Sequence, residues 1–212
     1  MKSVEKEVVI KPIKMEQATI IIEGDSDLIL NKMNRRTVRE LTDIRKDKAK
    51  TIQAPNIWDD VITAMHWRDQ LPEGEYTEET LHDLLQNNAP CISAFGLKKS
   101  FGQAVVRNEV DTYSTKFDAC VNIVSVGNLI PITFAEHHVD EKLMSPKKGK
   151  PVLVRMNRFT GWRAKFTIQY MDGGAYGIEQ ILQVINLAGF GLGIGSGRTS
   201  GYGRYHIVAI EN

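Results

Sequence analysis

Apolar positions along the chain follow two rhythms, one of strands and one of helices. Gln17 to Glu23 carries Ile20, Ile21 and Ile22 in a β-branched run closed by Gly24-Asp25, which predicts a buried strand. Leu28 to Met33 continues in extended or irregular form. Asn34 opens a short helix over Arg35 to Leu41, with Val38 and Leu41 three apart on one face. Asn56 is suited to cap a helix in which Ile57, Val61, Ala64 and Met65 recur at i, i+4, i+7 and i+8, with Asp59 and Asp60 near its positive end. His66 and Trp67 fall on that same helix, which Leu71-Pro72-Glu73-Gly74 stops. Thr77 starts another, with Leu81, Leu84 and Leu85 as its stripe, ended by Asn87 to Pro90. A third runs from Gly96 to Val106, with Leu97, Phe101, Ala104 and Val105 turned inward.

Beyond these three helices the pattern is mostly strand. Ala119–Val126 and Leu129–Phe134 flank Gly127-Asn128, a pair suited to a two-residue hairpin turn. Pro151–Phe159 and Trp162–Met171 flank Thr160-Gly161. Both alternate, with Val152, Val154 and Met156 against Arg155 and Asn157, then Ala164, Phe166 and Ile168 against Arg163, Lys165 and Thr167. That alternation predicts a basic sheet face. Ile178–Leu187 is an amphipathic helix, and Tyr205–Ile210 a closing strand. The order is α+β and fits a ferredoxin-like (RRM-like) βαββαβ core in one domain spanning the chain, with hairpin insertions and a helical insertion at about 34–90.

Charge changes this picture more than composition does. At 42% hydrophobic and 25% charged, with a net charge of +1, the 212 residues are ordinary for a globular protein. The sum hides segregation. Lys32 to Lys50 carries a net +5, with Arg35, Arg36 and Arg39 in it; Lys142 to Tyr170 carries eight basic residues and no acidic one, among them Lys147, Lys148, Lys150, Arg155, Arg158, Arg163 and Lys165. The compensating acid lies between Asp59 and Asp83. Such blocks suit a polyanion on the basic side, and head-to-tail self-association of opposite blocks between copies of the chain. No apolar run approaches the roughly 18 residues of a membrane span and the charged amino terminus is no secretory signal, so a cytoplasmic protein with no membrane partner is expected. Cys91 and Cys120 have no CxxC and no clustered partner; neither a disulfide nor a metal site is indicated, and no cofactor is expected.

Seven glycines occupy the fifteen positions from Gly189 to Gly203, where 17 in 212 would place about one. Glycine alone takes positive φ cheaply and lets a backbone approach closely, and exposed N–H groups in such a loop can surround phosphate oxygens. Arg198 and Arg204 add charge and Tyr202 a stacking surface, to which Phe159 and Trp162 can contribute. The dinucleotide fold requires a strand before its glycines and a helix after them; here the order is reversed. The other reading of the segment is a turn that packs a helix tightly on the sheet.

A helix, then Gly193, Gly195, Gly197, Arg198, Gly201, Tyr202 and Gly203, then a final strand resembles the glycine-rich loop of the RAMP superfamily, the ferredoxin-like RNA-binding proteins of CRISPR effector complexes. Ile92 to Gly102 is similar to a helix of their backbone subunits, with Gly96, Leu97, Lys98 and Lys99 retained. The last sixty residues also look like a family of phage-encoded proteins. The resemblance implies a polynucleotide-facing surface and a tendency to stack head to tail. It does not carry over RNA cleavage, because the acidic residue that cuts target RNA in some of those subunits has no aligned position here.

Guide-RNA-processing members of that superfamily work without metal, using a general base to activate a ribose hydroxyl, and histidine has the right pKa for it. His66, His82, His137, His138 and His206 are the candidates; His137 and His138, just before a basic loop, are the better placed, while His66 reads as a helix-surface or packing residue and His206 as a strand residue facing a neighbour. GxSxG, HExxH and Walker sequences are absent. Three classes therefore stand: a non-catalytic single-stranded RNA or DNA binder that assembles along its strand, which the charge blocks favour; a metal-independent endoribonuclease; and a phage assembly or interaction protein that binds no nucleic acid.

Overall fold

A computed structural model describes residues 14–45, 56–144 and 152–211. Lys147, Lys148, Lys150 and the basic run from Lys46 to Lys50 lie outside them. In chain order the first elements are β1 (Lys14–Gly24), β2 (Leu28–Leu30), α1 (Arg35–Arg45), α2 (Ile57–Thr63), β3 (His66–Trp67), α3 (Glu78–Asn87), β4 (Pro90–Ser93) and α4 (Ala94–Arg107). There follow α5 (Thr115–Cys120), β5 (Val121–Val124), β6 (Leu129–Thr133), β7 (Glu136–Met144), β8 (Val152–Thr160), β9 (Arg163–Asp172), α6 (Ile178–Gly191) and β10 (Tyr205–Glu211). Helices and antiparallel sheet are mixed, and every pairing between the described strands is antiparallel. None of the described helices is long and apolar enough to cross a membrane.

The larger sheet runs β10-β1-β9-β6-β4-β3, and β5 also lies against β9. Ala18, Ile20 and Ile22 of β1, with Ala164, Phe166 and Ile168 of β9, point to one side and are buried under α4 and α6. The isoleucine run thus serves a single buried face, with Ile21 on the other side, half-buried. Each apolar side chain withdrawn there contributes about 1.5–3 kcal/mol relative to exposure. A smaller sheet, β2-β8-β7, leans on α2.

Several expectations are corrected. The Asn56 cap holds, its side chain accepting from the Trp58 and Asp59 N–H groups, but the helix stops at Thr63, and His66-Trp67 is a short strand against Cys91-Pro90. Trp67 turns inward and donates its indole N–H to the Ile62 carbonyl at 2.9 Å, a bond that the helical register does not offer. The helices are therefore not continuous before the sheet, since β3 and β4 of the 34–93 stretch join its edge. Gly127 and Asn128 take positive φ as a tight turn requires, yet β5 and β6 do not form a hairpin ladder; both pair with β9, one after the other. Thr160-Gly161 joins strands of different sheets, β8 to β2 and β7, β9 to β1. In β8 the buried residues are Asn157 and Phe159, the reverse of the expected phase. On α1, Val38 and Leu41 share a face that is open to solvent.

Candidate nucleic-acid interface

Of the eleven described basic residues that the sequence singles out as site residues, six are held by acid. Arg35 pairs with Asp59 and Arg36 with Asp60, so part of the acidic block neutralises part of the basic one within the chain. On the sheet, Arg163 meets Glu23 at 2.5 Å and Lys165 meets Glu211 at 2.6 Å. Arg155 pairs with Glu141, and Arg158 with both Asp27 and Asp140, which hold its guanidinium well above its ordinary pKa. The expected basic sheet face is therefore an array of cross-strand ion pairs. Arg39 is exposed on α1, away from these. Trp162 and Phe159, proposed as stacking surfaces, are fully buried, and the Trp162 indole N–H donates to the Ser26 carbonyl at 2.8 Å. No base can reach them.

The glycine segment is stitched into the fold. Gly193 (φ +68°) ends α6 in the left-handed cap conformation, its N–H donating to the Ala188 carbonyl at 2.8 Å. Ile194 and Gly203 are joined by a backbone bond, Ser196 donates to the Ile29 carbonyl of β2, and Gly203 donates to the Asp27 carbonyl. Ser26 reaches back as well, donating to the Gly201 carbonyl and accepting from the Arg204 N–H. At Gly193, Gly195 and Gly203 the room a Cβ would need is taken by the chain itself; for Gly195 it is the Ile29 oxygen, at 2.5 Å. Gly197 meets the Tyr202 ring, and Gly201 faces open space. The close approach expected toward a ligand is thus, at Gly195, an approach to β2. Among the described residues, the N–H groups of Gly195, Gly197, Arg198 and Thr199 have no acceptor.

What this stitching creates is a cleft of about 310 Å³ between the loop and α4. Ile194, Gly195, Ser196 and Arg198 form one wall, Gly96, Leu97, Lys99, Ser100 and Gln103 the other, with Asn31 and Lys32 past β2, His66 on β3, and Cys91 to Ser93 on β4 between them. The two segments that carried the resemblance meet here. On α4, Lys99, Gln103 and Arg107 recur at i, i+4 and i+8, a stripe of about 12 Å at 1.5 Å per residue. Arg107 and Arg204 continue the cationic lining into an adjoining recess that shares Gln103 and Arg198 with the cleft. Among the described residues neither is lined by a carboxylate, and no ion pair involves Lys32, Lys99, Arg107, Arg198 or Arg204. Lys98 turns the other way, toward Asn122, and Tyr202 is half-buried against Gly197. Desolvation pushes Lys32 below its usual pKa, and the same effect, with Lys32 nearby, lowers His66. Burial pushes the Cys91 thiol up to about 11, so at neutral pH it is a protonated part of the floor.

Asn31, Gln103, Arg107 and Ser196 were not singled out from the sequence as site residues; Lys32 entered only as part of a basic run, and His66 only as a histidine read as a helix-surface or packing residue. The four-residue spacing from Lys99 through Gln103 to Arg107 was a usable signal. Lys32 opens the basic run to Lys50, but its place at the cleft depends on where β2 ends.

His137 and His138 do not line the cleft. His137 packs on Phe159, and its Nε2–H donates to the Asn157 Oδ1 at 2.9 Å, because the Asn157 Nδ2 donates to the Val61 carbonyl and so fixes the amide. Burial is the main cause of its lowered pKa, partly offset by the Asn157 bond. A half-buried imidazole kept neutral contributes stability above its unfolded pKa of about 6.5 and loses it as pH falls below that value. His137→Gln, which keeps a donor, is therefore expected to flatten the fall in melting temperature between pH 7 and pH 5. Superimposable pH profiles for the two proteins would exclude this role. His138 is half-exposed, its ring 3.2 Å from Glu136. No group of three or more His, Cys, Asp or Glu among the described residues is placed to hold a metal ion.

No protein-family model and no curated protein matches the chain. Among solved structures it is similar to a chain of a type III-B Cmr-β complex bound to cognate target RNA, at 13% identity and a TM-score of 0.49 over 93% of this chain and 60% of that one. It is also similar to Cmr6 from Pyrococcus furiosus, at 10% identity and a TM-score of 0.41 over 92% of this chain and 99% of that one. The chain thus spans about three-fifths of the length of the first. Likeness at this level leaves function to be argued from the cleft.

Proposed function

We propose that the protein is a non-catalytic binder of single-stranded nucleic acid, with the strand running along α4 and the glycine loop. The observation that carries this is the convergence of Lys32, Lys99, Arg107, Arg198 and Arg204 on two connected recesses that no carboxylate of the described residues lines. Cations left without acid partners on a concave surface focus potential on a polyanion, whereas the paired cations of the sheet face do not. N–H groups without acceptors at Gly197, Arg198 and Thr199 add donors for phosphate oxygens. A recess of about 310 Å³ suits an unpaired nucleotide better than a duplex.

Membership of the RAMP superfamily belongs to the same reading. The chain order β1, α4, β5, β9, α6, β10 with spatial order β10-β1-β9-β5 corresponds to a ferredoxin-like βαββαβ core, and the glycine loop stands before its last strand. The endoribonuclease alternative is less well supported, with His137 committed to Asn157 and His138 to Glu136. Head-to-tail assembly would draw on the acidic residues from Glu73 to Asp83, since Asp59 and Asp60 already hold arginines.

Gel shift with matched single-stranded RNA, single-stranded DNA and duplex, followed across salt, tests the proposal. Single strands are expected to bind preferentially, with a log–log salt slope of up to about 3.5 if five cations each contribute roughly 0.7. Light scattering of the same mixtures is expected to show growth with strand length. A flat salt dependence would overturn the polyanion reading.

A further inference from the structure

We propose that the cleft between α4 and the glycine loop takes one unstacked base of the bound strand, anchoring the strand at a single nucleotide. The inference rests on the single-strand reading above and adds a base pocket to it. Charge attraction alone needs only cations on a surface. This cleft has more: behind its walls lie the packed apolar side chains of Met65, Cys91, Ile92, Leu97 and Ile194, which show it little surface and no charge. A nucleobase is the part of a polynucleotide that suits such an uncharged backing, having apolar faces and a polar edge. At about 310 Å³ the recess stands at the small end of ligand clefts, roughly 300–1,000 Å³, the size of a single nucleotide unit.

The polar edge also has counterparts. Asn31 and Gln103 line the cleft, are half-buried, and their carboxamides make no hydrogen bond to any described residue. Each sets a donor beside an acceptor, the arrangement that pairs with a base edge in two hydrogen bonds. Neither carboxamide is sealed from solvent, so both are free to meet the donors and acceptors of a ligand. Lys99 and Arg198 stand on the same walls, placed for the phosphates on either side of the held nucleotide. A free nucleotide offers the same chemistry, so the test includes one.

Fluorescence anisotropy would compare a short single strand with a strand of equal length and charge whose residues are abasic. The wild-type protein is expected to bind the base-bearing strand at least about tenfold more tightly. Gln103→Ala and Asn31→Ala are expected to lower affinity for that strand by up to tenfold and to leave the abasic strand unchanged, whereas Lys99→Ala weakens both. A thio-substituted pyrimidine in the strand is expected to photo-cross-link to the segment from Cys91 to Gln103. Equal affinity for the two strands, an equal effect of Gln103→Ala on both, or cross-links confined to other segments would overturn the base pocket while leaving the charge reading in place. A nucleoside monophosphate that binds as tightly as the strand would also overturn it, by assigning the cleft to a free ligand. If neither strand binds, the charge reading itself is lost.

Discussion

Gly203→Ala is expected to lower the melting temperature by on the order of 10 °C, more than other alanine substitutions in the glycine loop. Gly203 has φ +71°, where a side chain costs about 1–2 kcal/mol. Its new Cβ would also land on the Ile194 carbonyl oxygen, which cannot be displaced cheaply because the Ile194 N–H donates to the Gly203 carbonyl and ties the two residues together. Overpacking of this kind adds roughly 1–3 kcal/mol. For a chain of this size each kcal/mol moves the melting temperature by roughly 2–4 °C, which gives the figure above. Gly201→Ala is the internal control, since Gly201 also has positive φ, +89°, but nothing lies near its Cβ position. It is expected to cost only the conformational part. Circular-dichroism melts of the two variants decide the matter: if they coincide, the loop is not interlocked with itself.

Interlocking matters for function because it assigns different jobs to different residues of one motif. Gly193, Gly195 and Gly203 pin the loop to α6, β2 and the turn after β1, and a fixed loop holds Arg198 across the cleft from α4 without paying ordering entropy at each binding event. The ligand-facing part is left to side chains and to the N–H groups that the pinning does not use.

Elements defined by their own periodicity or by a capping side chain were legible in the sequence. β1, α6 and β10 follow from periodicity, and the Asn56 and Thr77 caps from residue chemistry that acts within one turn. What failed depended on distant partners. Ala64 and Met65 continue the helical rhythm of Ile57 and Val61 beyond the helix end, because their burial is set by the β4 edge and not by the helix face. Asn157 reads as an outward polar residue until Val61 and His137 surround it. The same gap explains the site. Both chemistry-bearing motifs could be read locally, but the neutralisation of Arg163 by Glu23 and of Lys165 by Glu211 is a matter of strand register across more than 40 residues of chain, and so is the arrival of Lys32 beside Lys99.

That neutralisation leads to the sharpest functional contrast. The double reversal Lys99→Glu with Arg198→Glu is expected to lower affinity for a single strand by about a hundredfold or more at moderate salt. Each lost charge-assisted contact costs roughly 1.5–3 kcal/mol, and the new carboxylates would repel the phosphates they face. The log–log salt slope is expected to shrink by about 1.4, two contacts' worth on a single strand. Because neither residue makes an ion pair among the described residues and both are exposed, the melting temperature should stay close to that of the wild type. The matched double reversal on the sheet, Arg163→Glu with Lys165→Glu, changes charge by the same amount but at positions already committed to Glu23 and Glu211. It is expected to reduce stability through like-charge contacts and to affect binding only weakly. Affinity and slope measured for both doubles locate the interface. If the sheet variant loses binding and the cleft variant retains it, the strand runs over the sheet and the cleft is not its path.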